Sequence, residues 1–158
     1  MNNNSAVRLE DRLALQELVQ AYAHFVDRRE FDSLVLLFSP DAILAGYDGD
    51  PLGKEPLYQR HGRDQIKEAM HGLLRYESTH HMLGQHMIAF DSDDSSIARG
   101  ELYCNAQHRY SKGTSAWNRA MMIRYLDLYR RTEDVWHIAE RRLAIEWVDI
   151  HPIGKSDE

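Results

Sequence analysis

The sequence predicts an α+β chain: three helices followed by a curved, mostly antiparallel sheet that closes into a cone with an open mouth. Two observations carry that prediction. Apolar residues recur at three- and four-residue steps before about residue 80, and strand-like segments dominate after it. Two of those segments are long, and long antiparallel strands in a small chain curl strongly to wrap something. A length of 158 residues suits one domain, taken as 1–158 with its core at about 8–147 and both ends frayed.

Leu15, Leu18, Tyr22 and Phe25 or Val26 share one face of a first helix, placed at about residues 8–28. Asp32 is positioned to cap a short second helix that runs to Phe38 and stops at Ser39-Pro40. Residues 41–47 read as a strand, and the Gly-, Pro- and Asp-rich stretch from Tyr47 to His61 reads as a loop. Ile66, Met70, Leu73 and Leu74 mark a third helix over 62–76. Strands follow at 82–91, 97–110, 117–131 and 135–147, separated by the turn-like segments 91–96, 111–114 and 132–134.

Composition excludes several classes of function. The chain is 43% hydrophobic, enough for a core. Its net charge of −6, with no Lys/Arg block, makes nucleic acid and anionic membranes poor partners. The longest aliphatic and aromatic run, Leu34–Phe38, is far too short to span a membrane. The polar start lacks an apolar signal core, and the single cysteine, Cys104, has no partner for an intramolecular disulfide. The expectation is a cytoplasmic protein. Trp117, Tyr125 or Tyr129, placed on the outer face of long strands, predict a homo-oligomer, a dimer or trimer.

Four features could carry chemistry. Asp27 lies near the C-terminal end of the first helix, where a carboxylate faces the negative pole of the helix dipole. Its partner is either Arg28 or Arg29 next door or a histidine brought in by the sheet. In the segment from Thr79 to His86, alternation puts His81, Leu83, Gln85 and Met87 on one face and His80, Met82, Gly84 and His86 on the other. Only one of His80 and His81 can therefore face a pocket. A carboxylate beside an inward histidine makes a general-base unit, in which the carboxylate sets the tautomer and stabilises the imidazolium. His108 lies on the second long strand. Of the adjacent Arg141 and Arg142, one must point inward, either to bind an anion or to pair with Glu140, Glu146 or Asp149. Metal-site, nucleotide-loop and nucleophile-elbow motifs are missing, so no metal and no cofactor is expected.

Tyr22 and Asp27 on the first helix and His81 opening the first long strand resemble the SnoaL-like branch of the nuclear-transport-factor-2-like superfamily. So do the phrases Phe31-Asp32-Ser33-Leu34, Phe38-Ser39-Pro40-Asp41-Ala42, and Tyr125 to Arg131 through Trp136. The resemblance implies a cofactor-independent lyase of the scytalone dehydratase, bile acid 7α-dehydratase or hexachlorocyclohexane dehydrochlorinase type, acting on a small molecule. It implies an Asp27–His81 dyad, with His80 as the competing histidine if the register slips by one. It further implies Tyr22 as acid or hydrogen-bond donor, Arg141 near the leaving group, and His108 and Tyr47 in the pocket. On an ideal helix Tyr22 and Asp27 lie about 140° apart around the axis, which makes their joint action a geometric question. An isomerase or cyclase using the same dyad, and a non-catalytic binding module or oxygenase small-subunit-like protein, remain open.

Overall fold

A computed structural model describes residues 3–154. Helix α1 (Asn3–Arg28) is followed by α2 (Phe31–Leu36), strands β1 (Phe38–Asp48) and β2 (Tyr58–His61), and helix α3 (Gly62–Met70). A 3₁₀ turn (His71–Arg75) then leads into β3 (Ser78–Phe90), β4 (Ile97–Lys112), β5 (Ser115–Thr132) and β6 (Val135–Pro152). The strands form one sheet in the order β2-β1-β6-β5-β4-β3. Only β1 and β6 pair in parallel; every other pairing is antiparallel. This is the predicted α+β architecture, with the helices packed on the inner face of a curved sheet.

Helix α1 lies inside the curve because its buried residues, Leu15, Leu18, Val19, Tyr22 and Val26, form one stripe at helical spacing. They meet Ile88, Leu102, Ile123, Tyr125, Tyr129 and Ile138 from the sheet. A buried carboxylate fixes the other end of the helix. Asp11 accepts hydrogen bonds from Trp136 Nε1 at 2.8 Å and Arg131 Nη1 at 3.0 Å.

The C-terminus of α1 shapes the site. Arg29 adopts a left-handed conformation, φ 63°, and Glu30 N–H donates back to the Phe25 carbonyl at 3.0 Å. This is a C-cap usually made by glycine. An arginine is used instead, and its Nη1 donates to the Val26 carbonyl at 2.7 Å and to Thr79 Oγ1 at 2.6 Å. The side chain therefore ties the helix end to β3.

Several boundaries differ from the sequence reading. Helix α1 begins earlier, at Asn3, and β6 runs past residue 147 to Pro152; the frayed ends expected beyond these fall on residues 1–2 and 155–158, outside the described residues. Phe38-Ser39-Pro40 opens β1 instead of ending α2, and the Pro40 region sits in an irregular stretch of the β1–β6 pairing, where a missing N–H is tolerated. The segment read as a loop contains strand β2, paired to β1 through Gly46↔Tyr58. Gly46 is required there, because a Cβ would come within 2.3 Å of the Tyr58 ring.

Strand irregularities reset which residues face inward. Between Leu83 and His86 an extra residue enters β3, so that Gly84 and Gln85 together oppose Tyr103. The parity flips: Gln85 becomes exposed and His86 turns in. Tyr125 and Tyr129, expected on the outer face, are fully buried in the core, and the large apolar side chains exposed on the late strands include instead Met82, Met87, Tyr103 and Trp147. No helix among the described residues is long and apolar enough to cross a membrane.

Candidate functional site

The site is built where the end of α1 meets β3. His81 Nδ1–H donates to Asp27 Oδ1 at 2.7 Å, and the His81 backbone N–H donates to Asp27 Oδ2 at 2.9 Å. Thr79 Oγ1 adds a third bond to Oδ1 at 2.8 Å. Burial alone would raise the Asp27 carboxyl, but these hydrogen bonds hold it below the ordinary carboxylate range. The unfavourable charge at the helix end is thus offset by β3, with Arg29 acting one step removed through Thr79. Arg28 pairs with Glu30 at 2.7 Å and takes no part.

With Nδ1 committed to the carboxylate, the proton resides there and Nε2 is left as the basic nitrogen. His81 lines a cavity of about 550 Å³. Its walls are apolar and aromatic, with Leu44, Met70, Ile123, Leu143, Tyr22, Tyr58, Tyr76 and Tyr125 among them. His80, one residue earlier, is exposed on the opposite face.

Tyr22 lines the same cavity, whereas Asp27 sits behind His81 and does not. This settles the helix geometry. The two residues need not share a face, because Asp27 reaches the cavity only through the imidazole. Burial pushes the Tyr22 phenol up to about 12, so it stays protonated and can donate.

His108, also in the wall, packs edge-on to His81 with ring centroids 5.8 Å apart. Its Nδ1–H donates to the Arg119 carbonyl at 3.0 Å, leaving Nε2 as an acceptor. Burial lowers its pKa to about 4, and the neighbouring charges of His81 and Arg119 act in the same direction. The unfolded chain binds a proton at an ordinary histidine pKa of about 6.5. The folded state does so only near 4, so between these values the unfolded state holds more protons and stability rises with pH. Stability from this source is complete above about pH 6.5 and is lost as pH falls toward 4. Burial lowers His86 as well, with the same sign. Thermal melts of His108→Gln should show a shallower loss of Tm between pH 6.5 and 4 than the parent; an unchanged slope would contradict the assignment.

Other expected site residues are placed differently. Arg141 does point inward, and Arg142 outward, but Arg141 is fully buried behind Tyr22 and does not line the cavity. Its partner is Asp127: Nε donates to Oδ1 at 2.8 Å and Nη2 to Oδ2 at 2.6 Å. The guanidinium is sandwiched between the Tyr22 and Tyr125 rings, 4.1 and 4.3 Å from their centroids. Arg141 therefore reaches the cavity through the Tyr22 and Tyr125 rings. Tyr47 shares the outer side of β1 with Ala45, beside Arg142 and Ala144 of β6, and is outside the cavity. Leu83 packs against the core at the sheet but does not line the cavity, and Gln85 is removed by the bulge.

The sequence reading missed Tyr58, Arg60, Arg75 and Arg119, all in the cavity wall. For Arg119 a signal existed, since it keeps the alternation of Met121, Ile123 and Tyr125. Tyr58 and Arg60 alternate within a short edge strand that the surrounding Gly and Pro residues obscured. Among the described residues no three His, Cys, Asp or Glu side chains group as metal ligands.

Residues 7–142 match the SnoaL-like domain family. The chain belongs to that family. The protein Rv2910c of Mycobacterium tuberculosis strain H37Rv, itself uncharacterized, is 29% identical over 146 residues, covering 87% of this chain and 86% of its own. A Novosphingobium aromaticivorans structure provisionally described as a scytalone dehydratase superposes with a TM-score of 0.79 at 21% identity, covering 96% of this chain and 99% of its own. A type 2 hexachlorocyclohexane dehydrochlorinase, LinA, superposes with a TM-score of 0.74 at 18% identity, covering 93% and 91%. At these identities the two structures establish a shared fold.

Proposed function

We propose that this SnoaL-like protein is a cofactor-independent lyase, a dehydratase of a cyclic or aromatic small molecule. The observation that carries the reading is the bond from His81 Nδ1–H to Asp27, which leaves a basic Nε2 on the wall of an apolar cavity. Names of two structural neighbours, a dehydratase and a dehydrochlorinase, agree with elimination chemistry.

In this mechanism His81 Nε2 takes a proton from a substrate carbon, and Asp27 stabilises the imidazolium. The C–H electron pair forms the new C=C bond as the neighbouring C–O bond breaks. Tyr22, whose phenol holds its proton, donates a hydrogen bond to the departing oxygen. The imidazolium then returns its proton to that oxygen, so water leaves and His81 is neutral again. A positioned base supplies about 10²–10⁴-fold in rate. Orientation within the cavity and the dipoles of Tyr22 and His108 supply the remainder.

The test is incubation of the purified protein with a panel of aromatic and steroid-like alcohols, followed by mass spectrometry. Loss of one water supports the reading. No loss of water, with deuterium incorporated when the reaction is run in heavy water, would indicate an isomerase instead, and binding without either change would indicate a non-catalytic pocket.

A further inference from the structure

Three arginines, Arg60, Arg75 and Arg119, line the cavity that holds His81. They come from three separate elements: β2, the 3₁₀ turn and β5. No Asp or Glu lines that cavity, and none of the three arginines forms an ion pair among the described residues. Each instead rests on neutral partners. Arg60 lies over the Tyr58 ring at 5.8 Å and donates to the Gln59 carbonyl at 2.7 Å. Arg75 lies over Tyr76 at 4.9 Å and donates to its hydroxyl at 3.1 Å. Arg119 Nη1 contacts Met121 Sδ at 2.8 Å. Arg75 and Arg119 also line a contiguous outer hollow whose one carboxylate, Glu77, is engaged by Arg109 and Ser111.

The cavity thus carries three cationic side chains and no carboxylate to balance them, in a chain that is acidic as a whole, at −6. Guanidinium groups that carry no ion pair and one or two hydrogen bonds keep most of their N–H donors available for planar, bidentate recognition of an oxyanion. Apart from His81 and His108, the remaining lining is aliphatic and aromatic. We infer that Arg60, Arg75 and Arg119 form an anion subsite, and that the substrate is an apolar ring compound bearing a carboxylate or a comparable oxyanion. This rests on the lyase reading only for the word substrate. Arg119 is carried two strands from His81, about 10 Å across the sheet. The anion is therefore held on the cavity wall across β4 from the strand that carries the His81 base.

The experiment is calorimetric titration of the intact protein with naphthoate, naphthyl phosphate, naphthalene sulfonate and neutral naphthamide. At least one anion should bind about tenfold or more tightly than the amide, with affinity falling as salt rises. The three anions identify which oxyanion the subsite prefers. In the R75Q/R119Q variant that preference should vanish while amide binding stays within about twofold, and R75K/R119K should retain part of it. A His81→Ala protein should keep the preference, because binding is read without chemistry; a failed lyase assay therefore leaves this result standing. Equal binding of acid and amide, no anion binding up to the solubility limit, a preference that survives R75Q/R119Q, or one lost in His81→Ala would each overturn the inference.

Discussion

Replacing His81 with alanine should lower turnover by about 10²–10⁴-fold while the fold is kept. Among the described residues the His81 imidazole joins Asp27 to the cavity, so its removal leaves there only His108, which no carboxylate backs. Asp27→Asn should lose most of the activity for a different reason. A carboxamide can present an N–H toward His81 and favour the wrong tautomer, and it weakens the field that stabilises imidazolium. His80→Ala should be near neutral, because that side chain is exposed on the far face of β3. The measurement is kcat for the three variants on whichever substrate the mass screen identifies. Inactivation by His80→Ala with activity kept in His81→Ala would reverse both the register and the assignment.

Asp127→Asn should be the most destabilising single polar change in the protein. Asp127 and Arg141 are both fully buried and joined by two hydrogen bonds. Burial lowers the Arg141 pKa, but Asp127 beside it more than offsets this and holds it above the ordinary arginine value. Removing one partner strands the other charge in the core, at a cost of about 3–5 kcal/mol. For a chain of this size that corresponds to a fall in Tm of roughly 6–20 °C. Tyr129 also loses the acceptor for its hydroxyl, at 2.8 Å, and through Tyr129 the effect reaches His86 at 3.1 Å. The double variant D127L/R141M should recover much of the stability, because an apolar pair of similar volume avoids the desolvation cost. Turnover should not recover with it, since Tyr22 would still lack the cation beneath its ring. If stability and turnover recovered together, Arg141 would have no part in placing Tyr22.

How much of this was legible depended on the range of the interaction. The first helix, its buried stripe and the alternation of the long strands are local patterns, and they were read correctly. So was the rule that only one of His80 and His81 faces inward, because it required counting parity only within the first residues of β3. Gln85 lies four residues further along the same strand, past the bulge at Gly84, and there the count fails. One inserted residue turns every later side chain to the other face, and nothing in the segment from Leu83 to His86 announces it except a glycine.

The amino-acid pattern by itself determined the α+β class, the order of helices and long strands apart from the short β2, and that an acidic residue at a helix end needs a partner from Arg28, Arg29 or a histidine. Tertiary structure decided which partners those residues meet. Arg141 is inward, as one of two adjacent arginines on a strand must be, but its carboxylate came from Asp127 on the neighbouring strand, not from Glu140, Glu146 or Asp149. Tyr47 fell on the outer side of β1, and Tyr58 from the missed strand β2 took a place in the wall. Arg60, Arg75 and Arg119 are dispersed over sixty residues and have no common motif. Only the pairing of β2 with β1 and the curl of β5 bring them to one mouth, since charge convergence is a property of closure in space and leaves no period in the sequence.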